Sequence, residues 1–332
     1  MLVVLDIVIN HLCDVDTSYE LDGNHKECAE TLAKHFWEGN ATVSGQAGMN
    51  FSQNFFPPFR SEHFFNRCGP NSQEEMQGEE VYSVFGDFVE GMYDYRTDDK
   101  DFQQIFTDLH KYWVAYADVD GFRLDAAKHV TQDFLAYFST EVRAYAETLG
   151  KDDFFIIGEV AALNSAWVAS TLGDMKFLEP MWNFTGEPYA VEERKQSLKG
   201  MYESFPEDEQ FPGLPSVYNF HMSGLAKSAL QCFNGSSILK DYFSSKAYND
   251  LSVSGVRPQQ LWTLLEIHDW VRFLWEIPER SDLLKTAVAW LMTFPGSPVL
   301  YYGVEQGFNG HCPDTFDLGS ENATSAVEDL CY

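Results

Sequence analysis

Three carboxylates in this sequence stand in equivalent places. Val119–Leu124 ends in Asp125, Phe154–Ile157 runs into Gly158-Glu159, and Leu261–Ile267 runs into His268-Asp269. Each short apolar run reads as a buried strand, so each acid sits where a strand ends. A further run, Val3–Ile9, ends in Asn10-His11. Arg123 lies two residues before Asp125, on the same side of its strand. Three carboxylates gathered at one mouth with His11, His268 and Arg123 suit cleavage of a glycosidic bond. One carboxylate attacks the anomeric carbon; a second, kept protonated by its surroundings, protonates the leaving oxygen. Arg123 keeps Asp125 ionised in this arrangement, as a nucleophile must be. A single strand-end acid is more often a helix cap or an ion-pair partner; the set on successive strands carries the reading.

Such a set needs strands whose ends share one face. Ser216–Phe220 and Val299–Tyr302 add two more apolar runs, ending at His221 and Gly303. Helical patterns lie between the runs. Phe102, Ile105, Phe106, Leu109, Trp113 and Tyr116 recur at helical spacing over Phe102–Asp118, and Asp133–Leu149 and Leu283–Phe294 read as helices too. Strands alternating with helices predict an α/β fold with a parallel sheet. A β/α barrel collects its functional side chains at the C-terminal ends of its strands, as a doubly wound sheet does. No glycine-rich dinucleotide loop follows any run, which favours the barrel. From Leu12 to about Asp94 the rhythm breaks into a loop-rich stretch, the mark of a functional insertion or small subdomain.

Composition narrows the partners. With 45% apolar residues, the 332-residue chain can bury a core. A net charge of −29 disfavours nucleic-acid backbones and anionic membrane surfaces but not a neutral partner. The most apolar run, Thr286–Val304, is broken by Pro295, Gly296 and Pro298, well short of the ~20 residues a membrane span needs. Residues 1–9 read as a buried strand rather than a secretory leader, lacking a basic start and a small-residue cleavage site. Six cysteines without CxxC spacing, and N-x-[ST] sequons at Asn40, Asn50, Asn183, Asn234 and Asn322, point to an oxidising, secretory setting.

The residues resemble the α-amylase family, glycoside hydrolase family 13. Asp6-Ile7-Val8-Ile9-Asn10-His11 is similar to the family's D-x-x-x-N-H at the end of the third barrel strand. Gly121-Phe122-Arg123-Leu124-Asp125-Ala126-Ala127-Lys128-His129 matches G-F-R-x-D-x-x-K-H on the fourth strand at every fixed position. Gly158-Glu159-Val160 resembles the fifth-strand signature. Glu266-Ile267-His268-Asp269-Trp270-Val271-Arg272-Phe273 resembles E-N-H-D-x-x-R-F on the seventh, with Ile267 where most members carry Asn. Tyr301–Phe308 is similar to Y-Y-G-x-E-Q-G-F after the eighth.

The resemblance implies a (β/α)8 TIM barrel that starts here at its third strand, so the first two β/α units and the C-terminal antiparallel domain are expected to be missing. It implies a barrel made from residues 1–11 and 95–332, with 12–94 as the insertion subdomain. It implies that Asp125 is the nucleophile, Glu159 the acid/base and Asp269 the third carboxylate. His11 and His268 match sugar-binding histidines, Arg123 the arginine beside the nucleophile, and Lys128 and His129 the leaving-group side. Arg272 matches the arginine that orients the third aspartate. It also implies a structural Ca2+ held by Asn10, by the backbone carbonyl of His129 and by Asp94, with Glu79 or Glu80 as a further acid. Oxygen ligands of these kinds suit calcium. The implied substrate is an α-1,4-glucan, with oligomeric state left open. An α-glucosidase or a glucanotransferase would share these carboxylates. A catalytically silent carbohydrate-binding member typically loses one of the three, and all three are present.

Overall fold

A computed structural model describes residues 2–13, 59, 62–66, 84–88, 92–161, 168, 171–172, 213–230, 237, 240, 260–277 and 280–309. The chain divides into two compact units: Met1–Val160 with Ala166–Pro215, and Ala161–Ser165 with Ser216–Tyr332.

The first unit contains the strands β1 (Val4–Val8), β2 (His11–Cys13), β3 (Met92–Asp94), β4 (Gly121–Asp125) and β5 (Phe155–Gly158), and the helices α1 (Lys100–Ala117) and α2 (Gln132–Thr148). β1, β4 and β5 run parallel. Their register pairs Asp6 with Arg123, Val8 with Asp125 and Leu124 with Gly158. The sheet is thus the α/β arrangement expected from alternating runs. Gly121 is required at the start of β4, since a Cβ there would lie 2.6 Å from the Phe155 carbonyl oxygen across the ladder. β2 and β3 form an antiparallel ribbon that joins His11 to Asp94, at the two ends of the expected insertion. Most of residues 12–94 lies outside the described residues.

Helix α1 starts where Asp99 accepts from the Phe102 backbone N–H at 2.9 Å, an N-cap bond. Its buried stripe runs Phe102, Phe106, His110, Val114. Trp113 and Tyr116, expected in that stripe, are exposed and form a ring cluster with Tyr112. The stripe packs with Phe122 of β4 and with Phe134 and Phe138 of α2. Each fully buried phenylalanine contributes about 1.5–3 kcal/mol relative to an exposed one. These contacts anchor β4.

The second unit contains β6 (Ser216–Tyr218), α3 (Phe220–Leu230), β7 (Leu261–Leu264), α4 (Phe273–Glu276), α5 (Leu283–Thr293) and β8 (Ser297–Val299). β6, β7 and β8 are parallel, with Val217 opposite Leu261 and Leu264 opposite Val299. Its core gathers Ala226, Leu265, Phe273, Ile277, Ala287 and Leu291.

Two expectations are corrected. Residues 1–9 do not form a fully buried strand: Val4 and Val8 of β1 and the preceding Val3 are exposed, and among the described residues β1 is paired along one side only, by β4. The final strand spans Ser297–Val299 rather than Val299–Tyr302. It accommodates Pro298 at an exposed position, where a proline costs least.

Candidate active site

The register of β4 and β5 places Asp125 beside Glu159, and the Glu159 backbone N–H donates to the Leu124 carbonyl at 2.9 Å to extend the ladder. Parallel neighbours lie about 4.8 Å apart, so the two carboxylates leave the sheet side by side. Arg123 binds both. Its Nη2 lies 2.9 Å from Glu159 Oε2, and its Nη1 donates to Asp125 Oδ1 and, at 3.0 Å, to Asp6 Oδ1. Arg123 itself is buried. One guanidinium therefore faces three carboxylates.

Glu159 is largely withdrawn from water. Its carboxyl is pushed up to about 7, chiefly by burial. Arg123 and the Ala126 N–H, which donates to Glu159 Oε2 at 3.1 Å, pull the value down, and Asp125 pushes it up. Ala126 adopts the left-handed conformation (φ 52°), an uncommon state for a residue with a Cβ and one that clusters at functional sites. Asp6 was not among the sequence candidates. The signal was available: Asp6 opens the first motif and falls opposite Arg123 once the two motif-bearing strands are paired.

His11 is buried at the end of this sheet, with Nδ1 3.1 Å from Asn10 Oδ1. Burial lowers its pKa, and the nearby Asp125 works against that shift. Phe88 stacks on His11 (5.2 Å between centroids) and meets His129 edge-on at 4.9 Å. The Lys128 backbone N–H donates to the Glu159 carbonyl at 3.3 Å, so Lys128 and His129 lie on the short turn after β4.

The three groups expected to hold a cation converge. Asn10 Nδ2 donates to Asp94 Oδ1 at 2.6 Å and to the His129 carbonyl at 2.7 Å. Asn66 Nδ2 donates to the other Asp94 oxygen, and Asp87 Oδ1 accepts from the Asp94 N–H at 2.8 Å. Asp94 is fully buried, and burial pushes its carboxyl well above the usual carboxylate range. The Asn10 NH2 thus sits between two oxygens, an electron-rich position of the kind that a cation would take. Among the described residues, no group of three or more His, Cys, Asp or Glu side chains is poised for a metal. A site here draws instead on one amide, one carbonyl and Asp94. Glu79 and Glu80 lie outside the described residues.

In the second unit, His268 and Asp269 are exposed on the turn after β7, with His268 Nε2 3.3 Å from Asp269 Oδ1. Ile267, the departure from the family motif, is buried against Phe220 and Leu264. Arg272 is buried; Nη1 donates to Glu266 Oε1 at 2.8 Å and to the Tyr302 carbonyl at 2.7 Å. The guanidinium lies 4.1 Å from the Tyr301 ring centre and 4.8 Å from that of Tyr302. Glu266, also absent from the sequence candidates, is the partner that holds Arg272. A cleft of about 400 Å3 beside Asp269 is lined by Gly224, Lys227, Ser228, Trp270, Val271 and Glu276. Trp270 does not stand clear in it: its ring packs on Phe220 at 5.3 Å, and Lys227 Nζ lies 5.1 Å from its centre.

Across residues 1–330 the chain matches the model of the α-amylase catalytic domain. It belongs to the α-amylase family. A maltogenic α-amylase of Bacillus acidopullulyticus is 24% identical over 319 residues, covering 91% of this chain and 45% of that protein. An α-amylase of Saccharomycopsis fibuligera is 24% identical over 267 residues, covering 80% of this chain and 43% of that one. The chain therefore spans less than half the length of these family members. The solved α-amylase of Geobacillus thermoleovorans, complexed with acarbose, superposes with a TM-score of 0.58 at 22% identity, over 100% of this chain and 56% of that one. That likeness establishes the α/β-barrel class of the α-amylase family for the fold. Among the described residues no helix is long and apolar enough to cross a membrane. Cys28, Cys68, Cys232, Cys312, Cys331, the side chain of Cys13 and all five sequons lie outside the described residues.

Proposed function

We propose that this protein is a retaining glycoside hydrolase that cleaves α-1,4-glucosidic bonds in starch- or glycogen-type glucans. The observation that carries the reading is the Arg123 cluster: one guanidinium holds Asp125 and Glu159 at adjacent strand ends, while burial keeps the Glu159 carboxyl near 7. A general acid must hold its proton at the working pH, and the raised Glu159 carboxyl meets that requirement. Asp125 attacks C1 of the sugar as Glu159 gives its proton to the leaving oxygen. Glu159 then takes a proton from water, which displaces the sugar from Asp125 and frees the product with its configuration retained.

Asp269 serves as the third carboxylate, holding substrate hydroxyls, and His11 and His268 serve as sugar-binding histidines. Lys128 and His129 serve the leaving-group side. Asn10, Asp94 and the His129 carbonyl would hold Ca2+, whose contribution would be structural, because these residues join the β2–β3 ribbon to the turn after β4. Six cysteines and five sequons support an extracellular setting with disulfides and glycans.

The test is hydrolysis of maltoheptaose by the active protein and by its Asp125→Asn variant. Internal cleavage products from the parent protein, lost in the variant, are expected. Unchanged hydrolysis by Asp125→Asn sinks the proposal, and products longer than the substrate would reassign it to a glucanotransferase.

A further inference from the structure

We propose that Glu266 is a positioning residue that fixes Asp269 through the turn that bears it; the inference rests on the reading of Asp269 as a carboxylate that contacts substrate. The turn leaves β7 at Leu265 and re-enters regular structure at Phe273. His268 and Asp269 are exposed, whereas Glu266 and Ile267 before them and Arg272 and Phe273 after them are buried.

One carboxylate spans the two ends. Glu266 Oε1 accepts from Arg272 Nη1 at 2.8 Å, and Oε2 accepts from the Phe273 backbone N–H at 2.7 Å. With both oxygens engaged, the side chain ties residue 266 to residues 272 and 273 and fixes the length of the turn. Arg272 passes the constraint on. The same Nη1 donates to the Tyr302 carbonyl at 2.7 Å, and the guanidinium is enclosed by Tyr301, Tyr302 and Phe308. Among the described residues Arg272 makes no hydrogen bond to Asp269, so its influence on that carboxylate runs through the backbone.

The middle of the turn is held separately. The Trp270 N–H donates to the Ile267 carbonyl at 3.0 Å, and the Trp270 ring lies between Phe220 and Lys227. Lys227 is bound to Glu276 of α4 at 2.8 Å.

Stability alone does not account for a charged pair here. An apolar pair of similar volume is commonly as stabilising as a buried Arg–Glu pair, or more so. A charged pair adds direction: hydrogen bonds fix where the turn sits, which apolar contacts do loosely. A displacement of about 1 Å at a positioned group costs on the order of 10²-fold in rate.

The experiment compares kcat and KM on maltoheptaose for the active protein and four variants: Glu266→Gln, Asp269→Asn, their combination, and Glu266→Leu with Arg272→Met. The last removes the buried charges together, and its melting temperature shows whether the fold is kept. The inference expects kcat to fall on the order of 10²-fold in Glu266→Gln and in the apolar double variant, with melting temperature held in the latter. It expects Glu266→Gln to cost less than about 2-fold more in the Asp269→Asn background, because both act through one carboxylate. A folded apolar double variant with the parent kcat overturns the inference. So does a full Glu266→Gln loss that persists beside Asp269→Asn. Parent-like activity of Asp269→Asn itself overturns the reading beneath the inference and the inference with it.

Discussion

Replacing Glu159 with Gln should abolish catalysis and, at alkaline pH, stabilise the protein. The Glu159 carboxyl has an ordinary value of 4.5 and is pushed up to about 7 in the fold, chiefly by burial. Between those values the folded state holds a proton that the unfolded state has released, so stability falls as pH rises through the window. That difference corresponds to about 3 kcal/mol, fully expressed above pH 7. Glutamine imitates the protonated acid: it is neutral, and its oxygen still accepts from the Ala126 N–H. At pH 4, wild type and Glu159→Gln should therefore unfold with similar free energies. At pH 8 the variant should gain about 3 kcal/mol relative to wild type. Urea unfolding of both proteins at the two pH values measures this directly. In parallel, wild-type kcat/KM should fall above about pH 7 as the general acid loses its proton. A stability difference that stays flat from pH 4 to pH 8 would refute burial as the origin of the acid's protonation.

Two further outcomes follow from buried polar groups. His110, whose Nδ1 lies 2.8 Å from the Phe106 carbonyl, is lowered from 6.5 to about 4, chiefly by burial. The unfolded chain takes up a proton below pH 6.5 that the fold refuses until about 4, so stability drops as pH falls through that interval; His110→Phe should remove about 3 kcal/mol of the pH 7-to-pH 4 loss in urea titrations. Calcium at 100 times its dissociation constant should stabilise the protein by about 2.7 kcal/mol; calorimetric binding and chelator-sensitive melting should both disappear in Asp94→Asn, and a chelator effect that survives the substitution would move the cation elsewhere.

The elements were legible where periodicity was strong. Helices α1 and α2 fall within two residues of their expected limits, because both combine long apolar spacing with polar boundaries. The choice of buried side chains in α1 was less so. Trp113 and Tyr116 look like core residues by type, yet the buried stripe follows every fourth residue through His110, a histidine that satisfies itself on its own helix. The catalytic candidates were visible because each ends a strand. Their supporting partners were not, because the pairing is across strands or across a turn. Asp6 meets Arg123 only through the β1–β4 register, and Glu266 meets Arg272 only once the turn has closed. The proposed cation site shows the same pattern: Asn10, Asp94 and His129 are distant in sequence, and the β2–β3 ribbon joins the first two.

The central claim is that Asp125 is a nucleophile, and covalent trapping tests it most directly. Intact-mass and peptide mass spectrometry after incubation of the active protein with a fluorinated maltosyl fluoride should find one glycosyl adduct, on the peptide bearing Asp125. Turnover with no adduct on Asp125, or an adduct on another residue, would contradict the account.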